Sequence, residues 1–409
     1  MIFNYLAFAV PLFLTFMGIE YLVSKAQKKD YFKFGNSVAN LNVGIAERLL
    51  DTFTVGIFYF FYDYLHTHYA IFEIKPSVTL WIALLIATDF IWYWYHRLAH
   101  EINLLWSVHV VHHQSEDFNY TVSARITVFQ AVVRTLFWSV LPVIGFPAEM
   151  ITTILLVHGA YPFFIHTQII GKLGILEYIL VTPSHHRVHH ASNEVYLDKN
   201  YGDILIIWDK LFGTFAKEDK NETIVFGLTK PLNSHSFLWQ HFHFLLELIY
   251  AVRQTSGLKN KLKILFGKPH NVPVTLRDTL ESKFLFHKRR TPASKRFKNY
   301  VKWQLAFVLV LLFTFLLLEH YFSISAQILL SLIILITLIN CGAILEQKTW
   351  IFYLEYVRLT CVFFMLFGFT SVLNILFILG LSLLIYNFSL LEKYYLQLVY
   401  GNLVEIVEN

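Results

Sequence analysis

The chain has 409 residues, of which 56% are hydrophobic and 17% aromatic, and its mean hydropathy is +0.52. That composition excludes an ordinary water-soluble globular protein and predicts an all-α polytopic membrane protein, a transmembrane helix bundle. The net charge of +5, with no basic run interleaved with aromatics, excludes a nucleic-acid binder; two cysteines in apolar stretches, Cys341 and Cys361, exclude a disulfide framework and a cysteine-ligated iron–sulfur or zinc site.

Residues 3–23 are long and apolar enough to span a bilayer. No basic run precedes them and no small-residue cleavage site follows, so they read as a first span rather than a removable signal peptide. Lys25, Lys28, Lys29 and Lys33 come next, and the positive-inside rule places them in the cytosol. Residues 38–51, with Glu47, Arg48 and Asp51 among apolar neighbours, predict an interfacial amphipathic helix leading into a span over 52–72, which Asp63 interrupts. A further span over 78–95 starts after Pro76. Two crossings from a cytosolic segment bring the chain out at His96 on the cytosolic side.

The stretch from Asp89 to His113 reads DFIWYWYHRLAHEINLLWSVHVVHH. His96 and His100 stand at i,i+4 and share a helix face, on which Asp89, seven residues earlier, also falls as a candidate catalytic carboxylate. His109, His112 and His113 repeat the idea at i, i+3, i+4, and His186, His189 and His190 reproduce it about seventy residues later. Neutral imidazole is the commonest biological metal ligand. Eight such residues exceed what one tetrahedral ion takes, so the expectation is two metal ions, with zinc, copper, iron and nickel all open. Packed imidazoles would otherwise repel when protonated or lack partners when neutral and dry. The isolated histidines, among them His66, His68, His235 and His320, read as ordinary polar residues. Trp92, Trp94 and Trp106 read as an interfacial aromatic belt first and as the lining of a lipid cavity second.

Residues 115–125 form a polar loop, and 127–146 with 150–165 form an apolar hairpin around Gly145-Phe146-Pro147 that returns the chain to the side of His96. His158 and His166 are eight residues apart and face nearly opposite sides of an ideal helix; His166, at the helix end, is the better ligand. Asn200, Asp203 and Asp209 are candidate partners for the far nitrogens of ligating histidines, or alternatively helix caps. Residues 226–300 are more polar, and 283–298 are strongly basic, which suits a cytosolic flank or contact with anionic lipid headgroups. Apolar segments over 303–318, 324–345 and 359–391 carry no ligand cluster and predict a second membrane module. The expected organisation is therefore N-terminal membrane helices over 1–77, a histidine-rich core over 78–225, a polar and basic segment over 226–300 and a C-terminal module over 301–409.

The order H-x3-H, H-x2-H-H, a later lone histidine, then H-x2-H-H resembles the fatty acid hydroxylase/sterol desaturase superfamily of integral membrane di-iron oxygenases, over about 80–215. The stretches His96-Arg97-Leu98-Ala99-His100-Glu101, Ile165-His166-Thr167, Thr182 to His190, Asp198 to Gly202 and Trp208 to Thr214 are similar to its tetrahydrobiopterin-dependent branch acting on alkylglycerols. The resemblance implies His96, His100, His109, His112, His113, His166, His186, His189 and His190 as metal ligands. It also implies His185 as a supporting residue, Glu101 as a catalytic acidic residue of that branch, and two iron ions as cofactor. A paired H-x3-H stands at the intermediate position in some relatives, whereas here Pro162 stands four residues before His166. The implied reaction is O2-dependent hydroxylation of a lipid C–H bond, at the ether-linked carbon in that branch. Reducing equivalents would come from a separate donor such as tetrahydrobiopterin, because no cytochrome b5 or flavin module is visible. A sterol, fatty acyl or carotenoid hydroxylase or desaturase is the alternative within the same class. A haem cytochrome or metal transporter is the alternative outside it, disfavoured because the clusters sit at helix ends rather than deep in several spans.

Overall fold

The computed structural model describes residues 3–127, 129–285, 295–367, 372, 375–376, 380 and 388–400. Among the described residues the chain is helical with no strand; Leu180–Leu205 and Ala191–Phe226 are isolated bridges. Among the described residues, five helical stretches are long and apolar enough to cross a membrane: Tyr5–Ala26, Val78–Glu101, Ala148–Ile165, Lys295–Tyr321 and Ile324–Leu345. At about 1.5 Å per residue, a helix of about 20 residues matches the roughly 30 Å hydrocarbon core.

The chain divides into two compact units, one of Thr15–Asn233 with Trp239–Phe286 and the other of Met1–Leu14, Ser234–Leu238 and His287–Asn409. All the clustered histidines belong to the first. After helix α1 (Ala9–Ala26), the segment 38–69 is one continuous element, the helix α2 (Phe34–Tyr69), rather than an interfacial helix followed by a separate span. α2 is not among the five membrane-length apolar helices; its first half is polar and buried, with Asn40 donating to Thr121 Oγ1 at 2.8 Å. Its second half exposes Val55, Ile57 and Phe60. Gly44 lets α2 approach Ala124, whose Cβ would lie 2.6 Å from any Cβ at that position.

α3 (Val78–Glu101) and α4 (Asn103–His113) form a tight helical pair. At 11 residues, α4 is too short to span a bilayer. The apolar stretch 127–146 is broken at Ser139 into α5 (Gln130–Trp138) and α6 (Val140–Ile144), before α7 (Ala148–Ile165). An apolar core of Tyr62, Leu84, Tyr95, Trp138, Leu141 and Ile151 joins α2, α3, α5, α6 and α7.

The connector from α2 to α3 meets the bend before α7: Ile71 N donates to Val143 O at 2.9 Å and Phe72 N to Ile144 O at 3.1 Å. The contact requires glycine at 145, where φ is +128° and a Cβ would lie 2.0 Å from Phe72 O. The starts of α3 and α7 therefore lie together, and their C-termini, carrying His96, His100 and His166, lie together at the other end. Beyond α7 come the short α8 (Pro183–His189) and α9 (Ile207–Leu211), then α10 (Phe237–Gln254) and α11 (Leu258–Leu265).

In the second unit, α12 (Lys295–Leu318), α13 (Ile324–Leu345), α14 (Ile351–Phe367) and α15 (Phe388–Tyr400) pack together. Arg358 is buried among Glu355, Gln304 and Thr337, which tie α14 to α12 and α13. Much of the expected 359–391 span and residues 286–294 of the basic 283–298 stretch lie outside the described residues.

Candidate metal centre

Local sequence explains how the histidines are presented. Ile102 leaves helical geometry (φ −120°, ψ 121°), so α3 stops and α4 turns back beside it. His96 and His100 occupy the last turns of α3, and His109, His112 and His113 those of α4. His166 caps α7. α8 starts with Pro183 and a capping box formed by Thr182 and His185, and it carries His186 and His189, with His190 as its cap.

The structure brings the nine histidines into two adjoining groups. His96, His100, His109, His113 and His189 form one, and His112, His166, His186 and His190 form the other; within each, the ligand nitrogens all lie within 4.8 Å of one another. His96 Nε2 is 3.0 Å from His109 Nε2, which is 3.1 Å from His113 Nε2. His166 Nε2 is 3.2 Å from His112 Nε2 and 2.9 Å from His186 Nε2. The rings of His113 and His190 stack at 4.5 Å where the groups meet.

The i,i+4 pairs stay together: His96 with His100, His109 with His113, and His186 with His190. The i+3 members, His112 and His189, cross to the opposite group. Neighbouring positions on a helix point about 100° apart, so in H-x-x-H-H the last two imidazoles diverge.

Four of the far nitrogens are held by the main chain. His96 Nδ1 donates to Tyr201 O at 2.8 Å, His112 Nδ1 to Arg125 O at 3.2 Å, His166 Nδ1 to Pro162 O at 2.5 Å and His189 Nδ1 to Lys199 O at 2.9 Å. A carbonyl only accepts, so Nδ1 carries the proton and Nε2 a lone pair. His112 and His166 therefore aim two lone pairs at each other. The buried Nε2 atoms of His100, His189 and His190 have no hydrogen-bond partner. Burial, with neighbouring imidazoles adding to it, holds His109, His112, His113, His186, His189 and His190 well below the usual 6.5; burial brings His166 to about 4. At neutral pH these are neutral imidazoles around shared points, with no carboxylate in either group, an arrangement able to hold metal ions. The donor set fits a borderline transition-metal ion rather than magnesium or calcium.

The other candidate residues take different places. Asp89 joins His158 and Asp203 in a third buried cluster: His158 Nε2 is 3.1 Å from Asp89 Oδ1 and its Nδ1 is 3.0 Å from Asp203 Oδ2. Asp89 also accepts from Ile204 N at 2.9 Å, Leu205 N at 3.1 Å and Trp208 Nε1 at 2.9 Å. The two carboxylates meet opposite nitrogens of one ring, a hydrogen-bonded chain rather than a chelate. Asp209 accepts from Tyr201 N and Gly202 N, each at 2.7 Å, and so fixes the carbonyl that orients His96. Asn200 donates to His185 O at 3.0 Å and Ala216 O at 2.8 Å. His185 accepts from Thr182 N and lies outside both groups. Glu101 pairs with Arg97 at 3.0 Å.

The histidine spacing gives no sign of the roles of Tyr201 and Phe118. The Tyr201 ring lies against His96, His100 and His189, and Phe118 stacks on His166 at 5.6 Å. Trp106 covers His100 at 4.9 Å, and Trp92 sits between His96 and His158. Arg125, fully buried, donates to Val111 O, Asn40 Oδ1 and Gln114 Oε1 at 2.7–2.9 Å, and burial lowers its guanidinium to about 9.

Residues 81–214, which contain all nine histidines, match the family described as fatty acid hydroxylase. The chain is 38% identical over 268 residues to alkylglycerol monooxygenase of Homo sapiens, covering 65% of this chain and 60% of that protein. It is 32% identical over 381 residues to alkylglycerol monooxygenase of Danio rerio, covering 89% of this chain and 82% of that protein. The chain belongs to the alkylglycerol monooxygenase family. The Xenopus tropicalis member is 34% identical over 65% of this chain, and the alignments span only 60% and 59% of the human and frog family members. No solved structure matches the chain.

Proposed function

We propose that this protein is a membrane-bound lipid monooxygenase that hydroxylates the ether-linked carbon of an alkylglycerol, using O2, two iron ions and an external two-electron reductant such as tetrahydrobiopterin. The observation that carries the reading is the pair of buried all-histidine groups whose Nε2 lone pairs converge, within a chain of this family. In the balanced reaction, one oxygen atom of O2 enters the C–H bond as hydroxyl and the other leaves as water, with two electrons and two protons from the reductant side. The resulting hemiacetal separates into an aldehyde and glycerol.

The imidazoles of His96, His100, His109, His113 and His189 in one group, and of His112, His166, His186 and His190 in the other, would hold the iron, which would supply O2 activation and C–H oxidation. The protein's own contribution is geometric. The carbonyls of Tyr201, Arg125, Pro162 and Lys199 hold the ring tautomers that leave Nε2 free. Trp106, Tyr201 and Phe118 wall the imidazoles with aromatic surface and limit water around them. Glu101, next to His100 and paired with Arg97, is the acidic residue we assign near the reacting centre. The histidine end of α3 and α7 faces the cytosol in this reading, as the lysines at 25–33 direct.

Mass spectrometry of lipids from cells with and without the protein tests the proposal. Loss of alkylglycerols with a matching gain of fatty aldehyde is expected. Unchanged ether lipids with altered sterols, fatty acyl chains or carotenoids would replace the substrate and keep the metal site.

A further inference from the structure

Outside the histidine groups, the least accounted-for surface is helix α11. Its sequence, Leu-Lys-Asn-Lys-Leu-Lys-Ile-Leu, continues into Phe266, Gly267 and Lys268. Leu258, Leu262 and Phe266, spaced i, i+4, i+8, are exposed, with Leu258 at 73% and Phe266 at 58%. A step of four residues turns about 40° on an α-helix, so the three form one stripe. Ile264 and Leu265 lie on another side, against Val43, Val110, Val111, Phe244 and Leu248. Lys259, Lys263 and Asn260 are exposed on the third side. The helix thus has three faces, one on the protein, one apolar and uncovered, and one cationic.

Two further observations say what covers the apolar face. The first is position. Asn103, directly after the membrane-length helix α3, donates through its side chain to Ile264 O at 2.7 Å and through its backbone to Gly267 O at 2.8 Å. These bonds pin α11 to the end of a span, at the level where hydrocarbon gives way to headgroups. The second is charge. No Asp or Glu occurs from Leu248 to Arg277, while Arg253, Lys259, Lys261, Lys263 and Lys268 do. Lys268 lies within electrostatic reach of Asp198. Among the described residues, Lys259, Lys261 and Lys263 have no ion-pair partner.

We propose that α11 lies in the plane of the membrane surface, with Leu258, Leu262 and Phe266 inserted among the acyl chains and Lys259 and Lys263 engaging anionic lipid headgroups. An amphipathic helix with a cationic flank is the form such elements take. The occupant is a lipid surface. Through Asn103 the same helix holds the start of α4, so its seating sets the depth of His109, His112 and His113 relative to the bilayer. The inference concerns how the protein sits on lipid and stands whether or not the proposed reaction is correct.

The test uses the full-length protein in lipid nanodiscs, with Cys341→Ala and Cys361→Ala and one fluorophore-labelled cysteine at a time. At Leu262→Cys the label should be quenched by brominated acyl chains and shielded from aqueous iodide; at Asn260→Cys the order should reverse. A Leu262 label open to iodide would overturn the proposal, as would one shielded from both quenchers, which would mean that protein covers the face. For the headgroup part, Lys259→Gln with Lys263→Gln should lower the preference for spin-labelled phosphatidylserine over phosphatidylcholine, by up to about fivefold per lysine. An unchanged preference would remove the anionic-lipid assignment. Neither readout requires metal or turnover.

Discussion

His158 lies between two carboxylates, with Asp89 Oδ1 3.1 Å from one ring nitrogen and Asp203 Oδ2 3.0 Å from the other. All three are buried, and together they join α3, α7 and the loop that carries Tyr201. Removing the imidazole leaves two buried carboxylates without a counter-charge, a loss of about 3–5 kcal/mol, and removing the Asp89 carboxylate weakens the acceptor shared by His158, Ile204 N, Leu205 N and Trp208 Nε1. Asp89→Asn should therefore lower the thermal unfolding midpoint of the purified protein sharply, and His158→Leu should do the same by leaving two carboxylates facing each other. A midpoint within a degree of the parent for both would mean that the cluster does not hold the fold.

The metal content separates the two groups. The parent should hold close to two ions per chain by elemental analysis. His166→Ala removes one of four ligands from the second group and should bring the content towards one, since the five-histidine group is left whole. A content of two in that variant would show that His166 is dispensable for binding.

Acid should destabilise the metal-free protein over a defined window. His166 moves from the ordinary 6.5 to about 4 on folding because burial disfavours its charged form. The unfolded chain then binds protons that the folded one refuses, so stability is full above about pH 6.5 and falls as pH drops towards 4, by up to about 1.4 kcal/mol per pH unit for each such histidine. The other ligands shifted down outside the spans act in the same direction. Unfolding midpoints of metal-free protein from pH 7.5 to 4.5 should decline monotonically; metal-loaded protein should hold its midpoint further into the acid range. A metal-free protein equally stable at pH 7 and 5 would contradict the burial of neutral imidazoles.

The carbonyl of Tyr201 can be displaced without touching a histidine. A Cβ at Gly202 would come within 2.6 Å of Leu205 O and 2.9 Å of Asp209 Oδ2. Gly202→Ala should cost about 1–3 kcal/mol through overpacking and reduce metal retention, because His96 loses its carbonyl partner. Tyr201→Phe keeps that carbonyl and should retain metal like the parent. Equal metal contents for the two variants would separate the loop from the site.

Orientation is tested by labelling. Cysteines placed at the exposed Lys29, Glu116 and Lys220 should react with a membrane-impermeant reagent only from the cytosolic side. Reaction of all three from the outer side would invert the protein and leave the site intact; reaction from opposite sides would contradict the parallel arrangement of α3 and α7.

Much of the centre is legible in the chain because imidazoles at helical spacing have few other uses in apolar surroundings. The division into two groups is carried by the same spacing, once His112 and His189 are seen to point about 100° away from His113 and His190. The partners of the far nitrogens leave no such trace. The four that are paired use main-chain carbonyls, which every residue possesses, and those of Lys199 and Tyr201 are placed by the turn through Asp198 and Asn200, both at positive φ. His158 likewise looks like a spare histidine until the 203–208 loop folds back onto Asp89. The continuous α2 escaped a linear reading because its polar first half and apolar second half differ in composition but not in conformation.

Neither histidine group is complete within one stretch of the chain. The first takes four ligands from 96–113 and its fifth from His189; the second takes His112 from the early stretch and three from 166–190. A ribosome that has released only α3 and α4 has made neither binding place, and α7 must be seated in the bilayer before His166 can reach His112. Metal held by these groups would therefore enter after insertion and would rivet the early half of the core to the late half. Cells starved of the metal would accumulate an unriveted chain, open to the proteases that survey newly inserted membrane proteins.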